Sequence, residues 1–295
     1  MVSDMNYGQK FKLLRKAKGF ALKQLADETI SISAISRFEN GKADLGLQTL
    51  DRILTKMHSS LMEFMEQHPT RTSRDVSTNI YSLVGNMQVE RNVSGLQDLF
   101  QTVHAEYLQN SQLETLVHLA VIATALYSLT GKNVMRAKEI DRIYNSVFDV
   151  EVWDSDTLTV LGSIAVLLDP PRLEIVFNDL VSNAPTIMRQ DFIAAGDLWD
   201  NMLNCYEIAL GRDVEIATRM HAKLSQLAVP YLALDYQIRI YFLNQLFAGL
   251  TGKDELERLT AKKNVFAIIG LLIDVGNPLV ARQYADIADG VLEGN

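Results

Sequence analysis

Apolar residues recur three and four positions apart along almost the whole chain, the spacing of one face of an α-helix. Over the first 68 residues the stripes are short: Tyr7, Phe11 and Leu14; Leu22, Leu25 and Ala26; Ile35 and Phe38; Leu47, Leu50, Leu54 and Met57; Leu61, Phe64 and Met65. Gly19, Gly41 and Gly46 punctuate them, so about five short helices are expected here. The polar stretch "QHPTRTSRD" contains Pro69 and reads as a linker over 69–75. It divides an N-terminal domain, 1–68, from a larger one, 76–295.

Beyond the linker the stripes lengthen. They predict helices near 75–90, 93–109, 112–130, 133–149, 153–168, 170–183, 189–210, 213–227, 230–250, 254–275 and 278–292. The breaks carry turn chemistry in "LTGKN", "DPP", "LGRD", "LTGKD" and "DVGNP", and "LTGK" closes an apolar helix twice. Helices paired at this spacing suggest an α-solenoid of tetratricopeptide-like hairpins; a non-repeating bundle is the alternative. The expected class is all-α throughout.

Composition narrows the functional classes. Of 295 residues, 48% are apolar and 22% charged, enough for an extensive core. The single cysteine, Cys205, excludes an internal disulfide and a cysteine-built zinc site, and suits a reducing compartment. The N-terminal stretch has no apolar core of a signal peptide, and the longest apolar run, "LVHLAVIATALYSL", reads as too short to span a bilayer. A soluble cytoplasmic protein without a membrane partner is expected. Residues 1–68 hold ten Lys/Arg against eight Asp/Glu, a net of +2, while the remainder holds eighteen against twenty-eight, a net of −10. A mildly positive head on an acidic body fits a small polyanion-binding module joined to something else.

The chemistry of that head lies in "LKQLADETISISAISRFENGKAD". Helix, sharp turn and helix make the DNA-reading unit called helix-turn-helix. Ser31 caps the second helix by accepting from an exposed backbone N–H. Ile35 and Phe38 point to the core, while Ser33, Ser36 and Arg37 point away. Small side chains let such a helix enter a major groove, and an arginine there can bridge guanine O6 and N7 or hold a phosphate.

The segment from Phe11 to Met65 resembles the Xre-type helix-turn-helix domain of lambda-repressor-like regulators, through "FKLLRKAKG" and "ISRFENGKAD". By that resemblance Ile32, Ser33 and Arg37 match base-contacting positions, and Ser31, Asn40 and Lys42 match backbone-contacting ones. Arg15 and Glu39 match an internal ion pair. The chain departs from the pattern at Ala21-Leu22, where such domains often place Thr-Gln; Lys23 can reach the DNA backbone instead. Over its full length, with "VWDSDTLTVLG" and "GNPLVARQYADIA" as looser matches, the chain resembles the Rgg/GadR/MutR family of transcriptional regulators. The resemblance implies a homodimer acting on a pseudo-palindromic double-stranded DNA operator. It also implies a short hydrophobic signalling peptide bound in the C-terminal domain, as in quorum sensing. Alternatives are an Xre regulator sensing a metabolite or nothing, and a helical-repeat interaction scaffold.

A peptide on a helical-repeat surface needs side-chain amides for its backbone and apolar holes between them. Asn201 with Asn204, Thr159 with Ser163, and Arg239 with Asn244 lie on apolar helices at suitable spacing. Interhelical hydrogen bonding is the competing role for each. Asn204 falls near an amide that the resembled family uses on its ligand. The five histidines (58, 68, 104, 118 and 221) have no metal-ligand spacing, and no phosphate loop, dinucleotide fingerprint or nucleophile elbow is present. No metal, cofactor or enzymatic activity is expected.

Overall fold

The structure, a computed structural model, describes residues 6–66, 72–148, 155–190, 192–229 and 234–292. Among these are sixteen α-helices, one 3-10 turn and no strand. The chain divides into two compact units, Met1–Ile80 and Tyr81–Asn295.

The first unit holds α1 (Tyr7–Ala17), α2 (Leu22–Leu25), α3 (Ile32–Glu39), α4 (Leu47–Lys56) and α5 (Leu61–Glu66). α1, α3 and α5 begin where a side chain satisfies exposed N–H groups, whereas α4 starts at Gly46 without such a cap. Asn6 Oδ1 accepts from Gln9 N at 2.9 Å, Ser31 Oγ from Ala34 N at 3.2 Å, and Ser60 and Glu63 exchange bonds of 3.0 and 2.9 Å. The core is Phe11, Leu25, Ile30, Ile35, Phe38, Leu50, Ile53, Leu54, Met57 and Phe64; all but Ile30 and Ile53 lie on the predicted stripes, whose Tyr7 and Leu47 are instead exposed. Lys10 is buried with its Nζ 4.6 Å from the Phe64 ring centroid, a cation–π contact that offsets its desolvation.

α1 and α3 are in unusually close contact. A Cβ on Gly8 would stand 1.8 Å from the Phe38 carbonyl oxygen, so only glycine fits. About two turns further along α1, Arg15 closes on Glu39: Nε to Oε1 at 2.5 Å, Nη2 to Oε2 at 3.0 Å, with Nη1 donating to Phe20 O at 2.7 Å. The predicted internal ion pair is therefore bidentate and buried, with the Glu39 side chain 3% exposed.

α6 (Thr72–Val89) begins three residues before the predicted end of the linker. Residues 72–75 are helical, and 69–71 lie outside the described residues. The second unit continues with α7 (Val93–Asn110), α8 (Leu113–Thr130), α9 (Ala137–Phe148), α10 (Ser155–Gly162), α11 (Pro170–Gln190), α12 (Phe192–Leu210), α13 (Val214–Leu224), α14 (Leu234–Thr251), α15 (Glu255–Asp274) and α16 (Pro278–Leu292). α7–α8, α11–α12 and α14–α15 pack as consecutive pairs, and α12 also packs on α10, α13 and α14. This is the helical-hairpin stacking of an α-solenoid.

Three boundaries differ from the periodicity. α9 starts at Ala137, not near 133, because Asn133 Oδ1 takes Met135 N and Glu139 Oε2 takes Arg136 N, both at 2.9 Å. The helix expected over 153–168 stops at Gly162 and resumes as a 3-10 turn over Ala165–Leu167. Arg212 holds the exposed carbonyls there, donating to Leu168 O at 3.0 Å and Val166 O at 2.6 Å. α11 runs through Pro185 to Gln190, past the expected stop at 183.

α8 also corrects an expectation. It is 18 residues long with a mean hydropathy of 1.5, enough by length and composition to cross a bilayer. More than half of it, 56%, is buried within the unit, as befits a core helix.

The α1–α3 junction gives the first prediction. Arg15→Ala leaves Glu39 as an unpaired buried charge and should destabilise the first unit by about 3–5 kcal/mol. Replacing both residues by leucine should recover most of that loss. Hydrogen exchange of α1 and α3 amides in the full chain measures both; equal protection in Arg15→Ala and wild type would remove the pair from the stability of the unit.

Candidate functional site

With Ile35 and Phe38 pinned in the core, α3 turns its other side outward. Ser31, Ile32, Ser33, Arg37 and Asn40 are exposed, and Ser36 is half-buried. Lys42, in the following loop, and Lys23, on α2, are exposed as well. The structure thus brings together on the outer side of α3 the serines, Ile32 and Arg37 that sequence reasoning selected, with an isoleucine side chain and a guanidinium available on one short helix. Asn40 is partly committed: its Nδ2 donates back to Ser36 O at 2.7 Å and its Oδ1 accepts from Lys12 Nζ at 3.3 Å. It finishes α3 and holds a cation beside it. At Ala21 no side chain caps α2, but Gln24 Oε1 reaches back to Ala21 N at 2.7 Å, half of a capping box.

The turn between α2 and α3 rests on Asp27, which periodicity did not single out. Its carboxylate accepts from Thr29 N at 2.8 Å, Thr29 Oγ1 at 2.6 Å, Ile30 N at 3.1 Å and Lys56 Nζ at 2.7 Å, with Arg52 Nε 3.4 Å away. Lys56 also donates to Leu25 O at 3.0 Å. α4 is thereby tied to the turn that sets the angle of α3. These donors, Lys56 first, hold the Asp27 carboxyl well below the usual carboxylate range.

In the second unit the six predicted ligand residues separate into three groups. Asn204 and Arg239 meet: Arg239 Nη2 donates to Asn204 Oδ1 at 2.6 Å and Glu207 Oε2 at 3.0 Å, with Nη1 3.6 Å from Asp200 Oδ1. Tyr236 Oη joins them, donating to Gly196 O at 3.1 Å and Asp200 Oδ2 at 3.4 Å; burial, then the nearby carboxylates, push its phenol up to about 12. The Asn204 carboxamide NH2 makes no hydrogen bond among the described residues. Asn244 belongs to a second group beside His221, whose Nδ1 lies 3.1 Å from Tyr206 Oη and whose ring stacks on Phe247 at 4.3 Å. Burial lowers the His221 pKa.

The remaining three residues are built into the fold. Asn201 does not join Asn204: it is buried, and its Nδ2 donates to Leu158 O at 3.0 Å and Asp197 O at 2.8 Å, fastening α12 to α10. Ser163 is also buried; its Oγ donates to Thr159 O at 2.9 Å and its carbonyl accepts from Thr124 Oγ1 at 2.7 Å. Thr159 is exposed on α10 and offers that carbonyl. A separate cleft of about 510 Å³ lies between the start of α8 and α9, lined by Leu113, Lys138, Asp141, Arg142, Asn145 and Ser146. None of the predicted residues lines it. Trp153, in the run "VWDSDTLTVLG" matched above, lies outside the described residues.

The fold and the outward-facing α3 define a helix-turn-helix domain joined to a helical-repeat body. The helix-turn-helix family HTH_3 matches residues 11–64. Along almost its whole length the chain is similar to solved peptide-receptor structures. The pheromone receptor Rgg2 of Streptococcus dysgalactiae is 18% identical, with a TM-score of 0.73 over 96% of this chain and 98% of that one. PrgX, in complex with cCF10, is 13% identical with a TM-score of 0.64, over 97% and 92%. A bacterial peptide pheromone/receptor complex is 14% identical with a TM-score of 0.64, over 97% and 98%. The chain has the fold of these receptors.

Asp27 gives a pH-dependent prediction. A depressed pKa contributes stability above the unfolded value near 3.8 that is lost as pH falls below it. Asp27→Asn should therefore lower the thermal midpoint of the first unit at pH 7. Its gap from wild type should close as pH drops below about 4. A gap that stays constant across that range would mean that the carboxylate charge does not order the turn.

Proposed function

We propose that the protein is a sequence-specific, DNA-binding transcriptional regulator. Residues 1–68 read DNA, and residues 76–295 bind a short hydrophobic peptide and dimerise. The observation that carries the reading is α3: a short helix clamped from behind by Arg15–Glu39, presenting Ser31, Ile32, Ser33 and Arg37 outward. A helix so presented suits the major groove, with Arg37 on a guanine edge or phosphate and Ile32 against a thymine methyl. Lys23, Lys42 and the capped N-terminus of α3 suit the phosphates on either side. Two protomers in the cytoplasm would then occupy half-sites about one helical turn, roughly 34–36 Å, apart.

The peptide part of the reading draws on the fold shared with structures described as pheromone receptors and on the Asn204–Arg239 pair. Asn204 keeps a donor available on a half-buried helix face, and Arg239 keeps it oriented. A bound peptide would change DNA occupancy only by its differential affinity for two arrangements of the dimer.

Genomic fragments captured by the purified protein and sequenced supply the operator for mobility-shift titration. Arg37→Ala should weaken that operator by roughly ten- to hundredfold and reduce the salt slope by about one, with the helical circular dichroism unchanged. Undiminished sequence preference would remove α3 from recognition. Calorimetric titration with short hydrophobic peptides addresses the second unit. Asn204→Ala should weaken the peptide found there by about tenfold and leave DNA affinity without peptide unaltered; equal peptide affinity would place the peptide elsewhere.

A further inference from the structure

α15 is apolar on two opposite sides. Ala261, Val265, Ile268 and Leu272 are buried, on a helix that packs against α14 and α16. Facing away from them, Leu256, Leu259, Phe266 and Ile273 are 75%, 57%, 58% and 55% exposed. Leu271, off this line, is exposed as well, at 52%; exposed leucines scattered singly need no explanation, but these four follow a rule. With Lys263 and Gly270 they fill successive a and d positions of a heptad from Leu256 to Ile273, the seam along which two helices pack knobs into holes. A run of exposed apolar side chains in one register on a folded unit marks an interaction site.

The stripe also specifies what covers it. Laid antiparallel across a twofold axis between Lys263 and Phe266, the stripe complements itself. Leu256 meets Ile273 of the second copy, Leu259 meets Gly270, and Lys263 meets Phe266. Gly270 has no atom within 4 Å of the position a Cβ would take, so it leaves a notch for the opposing leucine. Lys263 can lay its stem and ammonium on the opposing phenyl ring. A parallel pairing has none of this: Lys263 would face Lys263, Glu255 would lie near Glu255, and Gly270 would face Gly270 across a void. Such self-complementarity is the signature of an isologous twofold contact.

We propose that this face of α15 is the dimer interface of the protein, occupied by α15 of a second copy running antiparallel. The assignment rests on the dimeric reading given above and locates it.

The test uses the full chain with its one native thiol removed as Cys205→Ala. Positions 256 and 273 of one chain are about 26 Å apart along a helix, too far for an internal disulfide. Leu256→Cys with Ile273→Cys should therefore give a covalent dimer on mild oxidation, and either substitution alone should not. Separately, Phe266→Asp should convert the light-scattering mass from dimer to monomer while circular dichroism is retained. Cross-linking by Leu256→Cys alone would overturn the antiparallel register. A dimer that persists in Phe266→Asp and resists cross-linking would overturn the surface but keep the dimer. A monomeric wild type would overturn the dimeric reading itself, and this surface assignment with it.

Discussion

A guanidinium closed on a carboxylate behind a helix is the constraint on which the first unit depends. Arg15 and Glu39 are both buried and share two hydrogen bonds, and Gly8 lets the Phe38 carbonyl come where any Cβ would collide. Burying such a pair costs desolvation that its attraction barely repays. Its value here is geometric. The end of α3 is held to α1 at one orientation, so Ile35 and Phe38 fill the core while Ser33 and Arg37 cannot roll inward. Asp27 fixes the other end of the same helix by gathering donors from its own turn and from Lys56. A helix held at both ends can offer four small or long side chains to a groove without ordering itself at the moment of binding.

In the second unit the corresponding role falls to α12. Its buried residues, Leu198, Trp199, Met202, Leu203, Cys205, Tyr206, Ala209 and Leu210, lie on nearly every side, because α10, α11, α13 and α14 all pack on it. Most polar groups on such a helix find partners inside the fold: Asn201 Nδ2 finds carbonyls and Tyr206 finds His221, while Trp199 Nε1 and Asn201 Oδ1 have no hydrogen-bond partner among the described residues. Asn204 sits where α12 emerges toward α14, and there Arg239 meets it together with Asp200 and Glu207. Cys205 is enclosed entirely, and burial pushes its thiol up to about 12; it behaves as a small apolar residue rather than a reactive one.

Much of the N-terminal unit is legible in the sequence because its signals are local. Asn6, Ser31 and Ser60 cap helices a few residues away, and the apolar stripes name nearly the whole core. Asp27 was not legible. An Asp-x-Thr turn is ordinary, and its weight comes from Lys56 and Arg52, which only the packing of α4 brings to it. The same limit explains the second unit. Asn201 and Asn204 stand three residues apart, yet one turns to α10 and the other to α14. The two "LTGK" copies share a threonine that bonds back one turn, to Leu126 O and Phe247 O. Gly131 then adopts φ +69°, while Gly252 has no positive φ and is crowded by the Ala248 carbonyl and Arg258. Sequence identity marks the end of each helix, and the neighbours decide how the chain leaves it.

α15 shows why periodicity identifies a helix better than it assigns its faces. A one-sided stripe announces both the helix and the side that packs. Two apolar stripes on opposite sides cancel in that reading, and α15 looks like a helix buried all round. Only the fold distinguishes them, by covering Ala261, Val265, Ile268 and Leu272 and leaving the heptad of Leu256, Leu259, Phe266 and Ile273 open. Both faces repeat in alternating steps of three and four, so spacing alone does not tell them apart. The inner one packs against α14 and α16, and the outer one keeps its register exposed among the described residues. A second copy is the partner that would make that register useful, because only an identical helix is certain to present Gly270 wherever this one presents Leu259.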